Sequence, residues 1–139
     1  MKSRYAHILR NMKRSKIKIL VVEDESFLLD LYQIKLEQSG FEIIKASNGD
    51  EGVSLAKLEQ PGLILLDILM PQVDGYEMLA KIKSDPKTKN IPVIIFSNLS
   101  QKEEIEKGLK LGASDFIIKT SVTPSQLEAR VKEFLQRHQ

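Results

Sequence analysis

The chain has 139 residues, 42% of them hydrophobic and 29% charged, with a net charge of +2, no cysteine and only two histidines, His7 and His138. That length fits one domain with a real core, and the composition excludes disulfides, thiolate chemistry and Cys- or His-rich metal sites. No apolar run approaches a membrane span and the basic N-terminus lacks a signal-peptide apolar core, so the cytoplasm is the expected location.

The net charge hides an asymmetry. Residues 1–18 carry Lys2, Arg4, Arg10, Lys13, Arg14, Lys16 and Lys18 and no acid, leaving 14 basic against 19 acidic residues, a net of −5, in the remainder. A basic arm, 1–15, therefore precedes an acidic domain, 16–139. The arm spaces Tyr5, Ile8, Leu9 and Met12 as an apolar stripe on a basic helix. One reading is a frayed tail or a helix leaning on its own domain. The other is an arm for a weakly bound anionic partner such as nucleic acid or a membrane surface.

From Lys16 the pattern becomes regular. Ile17–Val22 is a buried-type strand ending at Glu23-Asp24-Glu25. A helix over 27–38 follows, with Phe27, Leu31 and Ile34 on one face, Leu29, Tyr32 and Leu36 beside it, and Gly40 at its C′ position. Phe41–Ala46 is the second strand. Asn48 and Glu51 read as a cap and its reciprocal partner opening a helix to about Gln60, inside which Gly52 costs roughly 1 kcal/mol against alanine. Pro61-Gly62 breaks the chain before the third strand. There four apolar residues run into Asp67 in the stretch Leu63–Pro71, LILLDILMP. Asp74-Gly75-Tyr76-Glu77 opens a helix to about Ser84, and Ile91–Phe96 is the fourth strand. Ser100 and Glu103 predict a capping box for the fourth helix, which Gly112 ends. Asp115–Lys119 is the fifth strand, and Thr123, Pro124 and Gln126 supply an N-cap, an N1 proline and an N3 glutamine for the last helix.

Five strands alternating with five helices predict a parallel sheet covered on both faces. Four strands end in residues a buried strand would not choose: Glu23-Asp24, Asp67, Ser97 and Lys119. Each alone has a plain reading, as a solvated helix start, a turn-former, a cap or a surface lysine. In a parallel sheet all carboxyl ends share one edge, and strand order 2-1-3-4-5 would put Glu23, Asp24 and Asp67 together at the switch point. Three crowded carboxylates need a proton or a cation. An all-oxygen site suits Mg²⁺, and the whole set suits phosphoryl transfer onto Asp67.

Glu23-Asp24, LLDILMP with Asp67, VIIFSN with Ser97, and GASDFIIK with Lys119 resemble the receiver domain of two-component response regulators, over about Lys16 to Gln136. The resemblance implies a flavodoxin-like (βα)5 fold and a phosphoprotein signalling role. Asp67 would take its phosphoryl group from a histidine kinase, a phosphotransfer protein or a small phosphodonor. Asp24, Asp67 and the Leu69 carbonyl would bind Mg²⁺, with Glu23 acting through a metal-bound water. Ser97 would move to the phosphoryl group, Lys119 would pair with it, and Phe116 would be the switch aromatic. The readout would be the face of helix 4, strand 5 and helix 5. Such a protein is no turnover enzyme; it catalyses only its own phosphorylation and dephosphorylation. With no second domain after Gln139, the expectation is a stand-alone receiver, a monomer or phosphorylation-dependent dimer acting on a downstream protein, with no output domain for DNA.

Two positions depart from the family. Thr120 stands where a proline after a cis peptide is usual. A cis bond here would cost about 2.5–4 kcal/mol, so a trans bond with a rearranged loop is expected rather than a strained cis one. Asn98 stands where a small residue is common, and its bulk would slow water attack on the phosphoryl group. The alternatives are a degenerate receiver that binds a partner without phosphorylation, and a haloacid-dehalogenase-type phosphatase. The latter usually has a second Asp two positions after the nucleophile, where this chain has Leu69.

Overall fold

The computed structural model describes residues 16–70 and 73–138. The chain alternates β1 (Lys18–Val22), α1 (Ser26–Gln38), β2 (Glu42–Ala46), α2 (Gly49–Glu59), β3 (Leu63–Leu66), α3 (Gly75–Ser84), β4 (Val93–Ser97), α4 (Lys102–Lys110), β5 (Asp115–Ile118) and α5 (Pro124–Arg137). Leu69–Met70 and Val73–Asp74 form a two-stranded antiparallel pair after β3, and Lys119–Ser121 form one 3₁₀ turn after β5. The sheet is five-stranded and parallel in the order 2-1-3-4-5, as the alternation predicts. The basic arm and Pro71 lie outside the described residues. No helix among the described residues is long and apolar enough to cross a membrane.

The three central strands explain their own composition. KILVV, LILL and VIIFS are covered on both faces, so every β3 and β4 residue is buried. Alternate residues feed two cores. Ile19, Val21, Leu63, Leu65, Ile94 and Phe96 meet Tyr32 and Leu36 of α1 and Leu127, Val131 and Phe134 of α5. Leu20, Val22, Ile64, Leu66 and Ile95 meet Ala56 of α2 and Met78, Leu79 and Ile82 of α3. The edge strand β2, EIIKA, is half-exposed and carries its polar residues there.

Helix α1 resolves the two apolar faces of its sequence. Leu36 and Tyr32 turn inward, while Phe27, Leu31 and Ile34 face water, with Phe27 73% exposed. Asn48 caps α2 through the Glu51 N–H at 2.9 Å. Thr123 and Gln126 cap α5 reciprocally, at 3.1 and 2.8 Å. The predicted Ser100–Glu103 box is displaced by one residue, because Glu104 Oε1 accepts the Gln101 N–H at 3.2 Å and α4 starts at Lys102. Gly40 and Gly112 end α1 and α4 at φ +92° and +110°. Gln60 takes the same left-handed role after α2 at φ 48°, and its side-chain amide donates to the carbonyls of Ala56, Lys57 and Lys87. The Lys119–Thr120 bond is trans, as expected of a chain without proline there, and Thr120 lies in the 3₁₀ turn.

Candidate functional site at the carboxyl edge of the sheet

Parallel strands in register carry their ends to one edge. Val22 pairs with Leu66, and the Asp67 N–H donates to the Val22 carbonyl at 3.0 Å, so the residues after β1 and β3 start side by side. Glu23, Asp24 and Asp67 each present a carboxylate oxygen, and these lie within 4.8 Å of one another. Glu23 and Asp67 are buried, whereas Asp24 is exposed. From the far side, Lys119 leaves the end of β5 and reaches across. Its ammonium pairs with Asp67 Oδ2 at 2.9 Å and with Glu23 Oε2, and its side chain is 9% exposed. The sequence predicts a proton or a cation to offset the carboxylates; this cation is part of the chain.

Burial is the largest influence on Glu23. Together with the Asp67 charge it outweighs the Lys119 contact and raises the carboxyl to about 7. Burial alone would lower the Lys119 pKa, yet its two carboxylate partners reverse the sign and raise it. The second Asp67 oxygen, Oδ1, accepts the Leu69 N–H at 3.0 Å. That bond holds the carboxylate by both oxygens, and it is the Asx-type turn that the plain reading of Asp67 as a turn-former anticipates. The Leu69 side chain is exposed.

Ser97 is fully buried at the end of β4, where its Oγ accepts the Leu99 N–H at 3.4 Å. Asn98, next along, is exposed. Phe116 is half-buried, pairs with Ile95 in register and packs against the α2–α3 core. Two further residues shape the edge. A Cβ on Gly75 would stand 2.5 Å from Ile68 Cα and 3.0 Å from the Asp67 carbonyl, so α3 begins against the backbone that carries Asp67. Tyr76 then donates its hydroxyl to the Glu104 carbonyl of α4 at 3.1 Å, and the Lys107 ammonium stands 4.3 Å from its ring centroid. A DG pair after the site loop is the only sequence trace of the first, and nothing local marks the second.

Fold and edge define a doubly wound α/β domain with an acidic, lysine-bridged site at its switch point. The family of response regulator receiver domains matches residues 19–132, and the chain belongs to it: this is the receiver domain of a two-component response regulator. A probable transcriptional regulator, ycf27, of Cyanophora paradoxa is 36% identical over 126 residues, 91% of this chain and 51% of that protein. The alkaline phosphatase synthesis transcriptional regulatory protein PhoP of Bacillus subtilis (strain 168) is 38% identical over 122 residues, 86% of this chain and 49% of that protein. A solved CheY-like response regulator receiver domain protein from Methanospirillum hungatei JF-1 superposes with a TM-score of 0.81 at 30% identity, covering 88% of this chain and 96% of that one.

These relatives correct one expectation. The chain spans about half the length of the curated relatives it matches, and those are transcriptional regulators. The reading of a partner set without a DNA-output domain is overturned by that finding, because it treated the last residue of this sequence as the limit of the function.

Proposed function

We propose that Asp67 is the phosphoryl acceptor of this receiver. The observation that carries the reading is the double hold on its carboxylate, Oδ1 by the Leu69 N–H and Oδ2 by the Lys119 ammonium, beside two more carboxylates. An oxygen of Asp67 attacks the phosphorus of a phosphohistidine on a histidine kinase or phosphotransfer protein, or of a small phosphodonor. The P–O bond forms as the P–N bond of the phosphohistidine breaks, and the imidazole leaves with a proton. Lys119 is placed to stay with the phosphoryl oxygens as their charge grows.

The donor set fits a hard divalent cation: three carboxylates converge and, among the described residues, no histidine or cysteine joins them. Glu23, Asp24 and Asp67, with the Leu69 carbonyl, would hold Mg²⁺, which supplies neutralisation of the charge gathered at the edge. Ser97 at the end of β4 and Phe116 on β5 would relay the new charge to the face of α4, β5 and α5, a local change biasing a two-state surface.

Incubation with a small phosphodonor and Mg²⁺ followed by intact mass tests the reading. The wild type gains one phosphoryl group and Asp67→Asn gains none. No acyl phosphate on the wild type would leave a binding module that works without phosphorylation, and steady release of phosphate from an ester would make it a phosphatase.

A further inference from the structure

We propose that Tyr76 is a positioning residue that latches the first turn of α4 in its resting place and thereby restrains phosphorylation of Asp67. This rests on the acceptor reading above and adds to it a link between α3 and α4. The link is the hydroxyl of Tyr76 donating to the Glu104 carbonyl at 3.1 Å, with the Lys107 ammonium 4.3 Å from the centroid of the same ring.

The two helices it joins are held very differently. Helix α3 buries Gly75, Met78, Leu79 and Ile82. Its first residue is pressed on the backbone that carries Asp67, and the Gly75 N–H donates to the Ile68 carbonyl at 3.4 Å. Asp74 Oδ1 accepts the Tyr76 N–H at 2.9 Å, so the base of the tyrosine is fixed with respect to Asp67. Among the nine described residues of α4 only Gly108 is buried. A Cβ there would stand 2.4 Å from Ile95 Cδ1 and 3.6 Å from Phe116 Cδ2, so the helix lies closest to the sheet near its far end. Its first turn, Lys102-Glu103-Glu104, has no apolar side chain to hold it, and that turn is the one Tyr76 reaches.

The bond therefore spans a fixed element and a movable one. In the resting state Ser97 Oγ accepts the Leu99 N–H at 3.4 Å. A Ser97 hydroxyl that turns to a phosphoryl group on Asp67 carries its oxygen away from that N–H and releases the loop leading into α4. Glu104 follows Ser97 by only seven residues, so the first turn shifts with the loop while Tyr76 stays with Asp67. A contact made in one state and lost in the other biases the equilibrium toward the first. The coupling is reciprocal: the latch opposes phosphorylation, and phosphorylation loosens the latch. A plain structural brace behaves otherwise, since its loss leaves phosphorylation unchanged or slows it.

Tyr76→Phe removes the hydroxyl and keeps the ring beside Lys107. One hydrogen bond of ordinary strength sets the size of the effect at about fivefold. With a small phosphodonor and Mg²⁺, the full chain carrying Tyr76→Phe gains its phosphoryl group about fivefold faster than wild type by intact mass, because more of it occupies the switched state. In the unphosphorylated chain, amides 102–110 exchange about fivefold faster and those of 76–84 are unchanged. Lys107→Gln, at an exposed position, removes only the cation over the ring and moves both readouts the same way by about twofold, whether or not Tyr76→Phe folds well. Equal or slower phosphorylation in the two variants overturns the proposal, and so does unchanged exchange at 102–110. Exchange is read without a phosphodonor, so a failed latch shows there. Wild-type chain that gains no mass is the separate failure of the acceptor reading, and it removes the restraint on Asp67 with it.

Discussion

Lys119 sets the electrostatics of the edge. Its ammonium sits on Glu23 and Asp67, carboxylates that would also hold a divalent cation, so lysine and metal share one pool of negative charge. Removing the ammonium leaves three carboxylates with no positive partner inside the cluster. Lys119→Gln is therefore expected to bind Mg²⁺ about tenfold more tightly, on the order of 1.4 kcal/mol of relieved like-charge repulsion, while taking up phosphate from a small donor more slowly. Calorimetric titration gives the first and a mass time course the second. An unchanged or weaker Mg²⁺ affinity would mean the two cations do not compete. The carboxylates were legible in the sequence because an acid at the end of a fully buried strand is out of place. The partner of Lys119 was not, since a long side chain can cross two strands and only its path decides which acid it reaches.

At the scale of elements, close approach matters more than propensity. Gly75 opens α3 with its α-carbon pressed on the Ile68 backbone, and no rotamer change can make room for a methyl group there. Gly52 lies inside α2, where a Cβ would meet two side chains and no backbone, Met78 Cε at 2.7 Å, the end of a flexible thioether, and Val22 Cγ2 at 3.1 Å. Gly75→Ala should cost about 2 kcal/mol in urea unfolding and slow phosphorylation by moving the Asp67–Leu69 bond. Gly52→Ala should stay within about 0.5 kcal/mol of wild type, its crowding offset by better helix propensity. Equal losses at the two sites would remove the distinction. The α5 cap could be read in advance because Thr123 to Gln126 is a local motif. The α4 start could not, because Ser100–Glu103 and Gln101–Glu104 offer the same spacing one residue apart and backbone geometry chooses between them. The inward face of α1 was ambiguous for a related reason: both of its faces are apolar.

For the whole molecule, the sheet order that gathers the site also buries Glu23 deeply enough to link stability to pH. Its carboxyl titrates at about 7 in the folded chain against 4.5 as the unfolded reference, raised first by burial and then by the Asp67 charge, with Lys119 opposing. The folded state thus holds this proton more tightly than the unfolded one. The contribution is complete below about 4.5 and is lost as pH rises through 7, a change on the order of 2–3 kcal/mol. Other shifts act elsewhere. Lys119, raised above 10.5, matters only in alkali. Asp85, lowered by the Lys87 N–H, and Glu128, lowered by the Ser39 hydroxyl, matter only in stronger acid. With divalent cations chelated, the urea midpoint should therefore be higher at pH 5.5 than at pH 7.5. Glu23→Gln, which keeps the shape of the protonated acid and cannot ionise, should level the two. Adding Mg²⁺ should also raise the wild-type midpoint more at pH 7.5 than at pH 5.5, since the cation favours the ionised carboxylate. A Glu23→Gln protein with the wild-type slope would place the linkage on another group and leave Glu23 charged throughout.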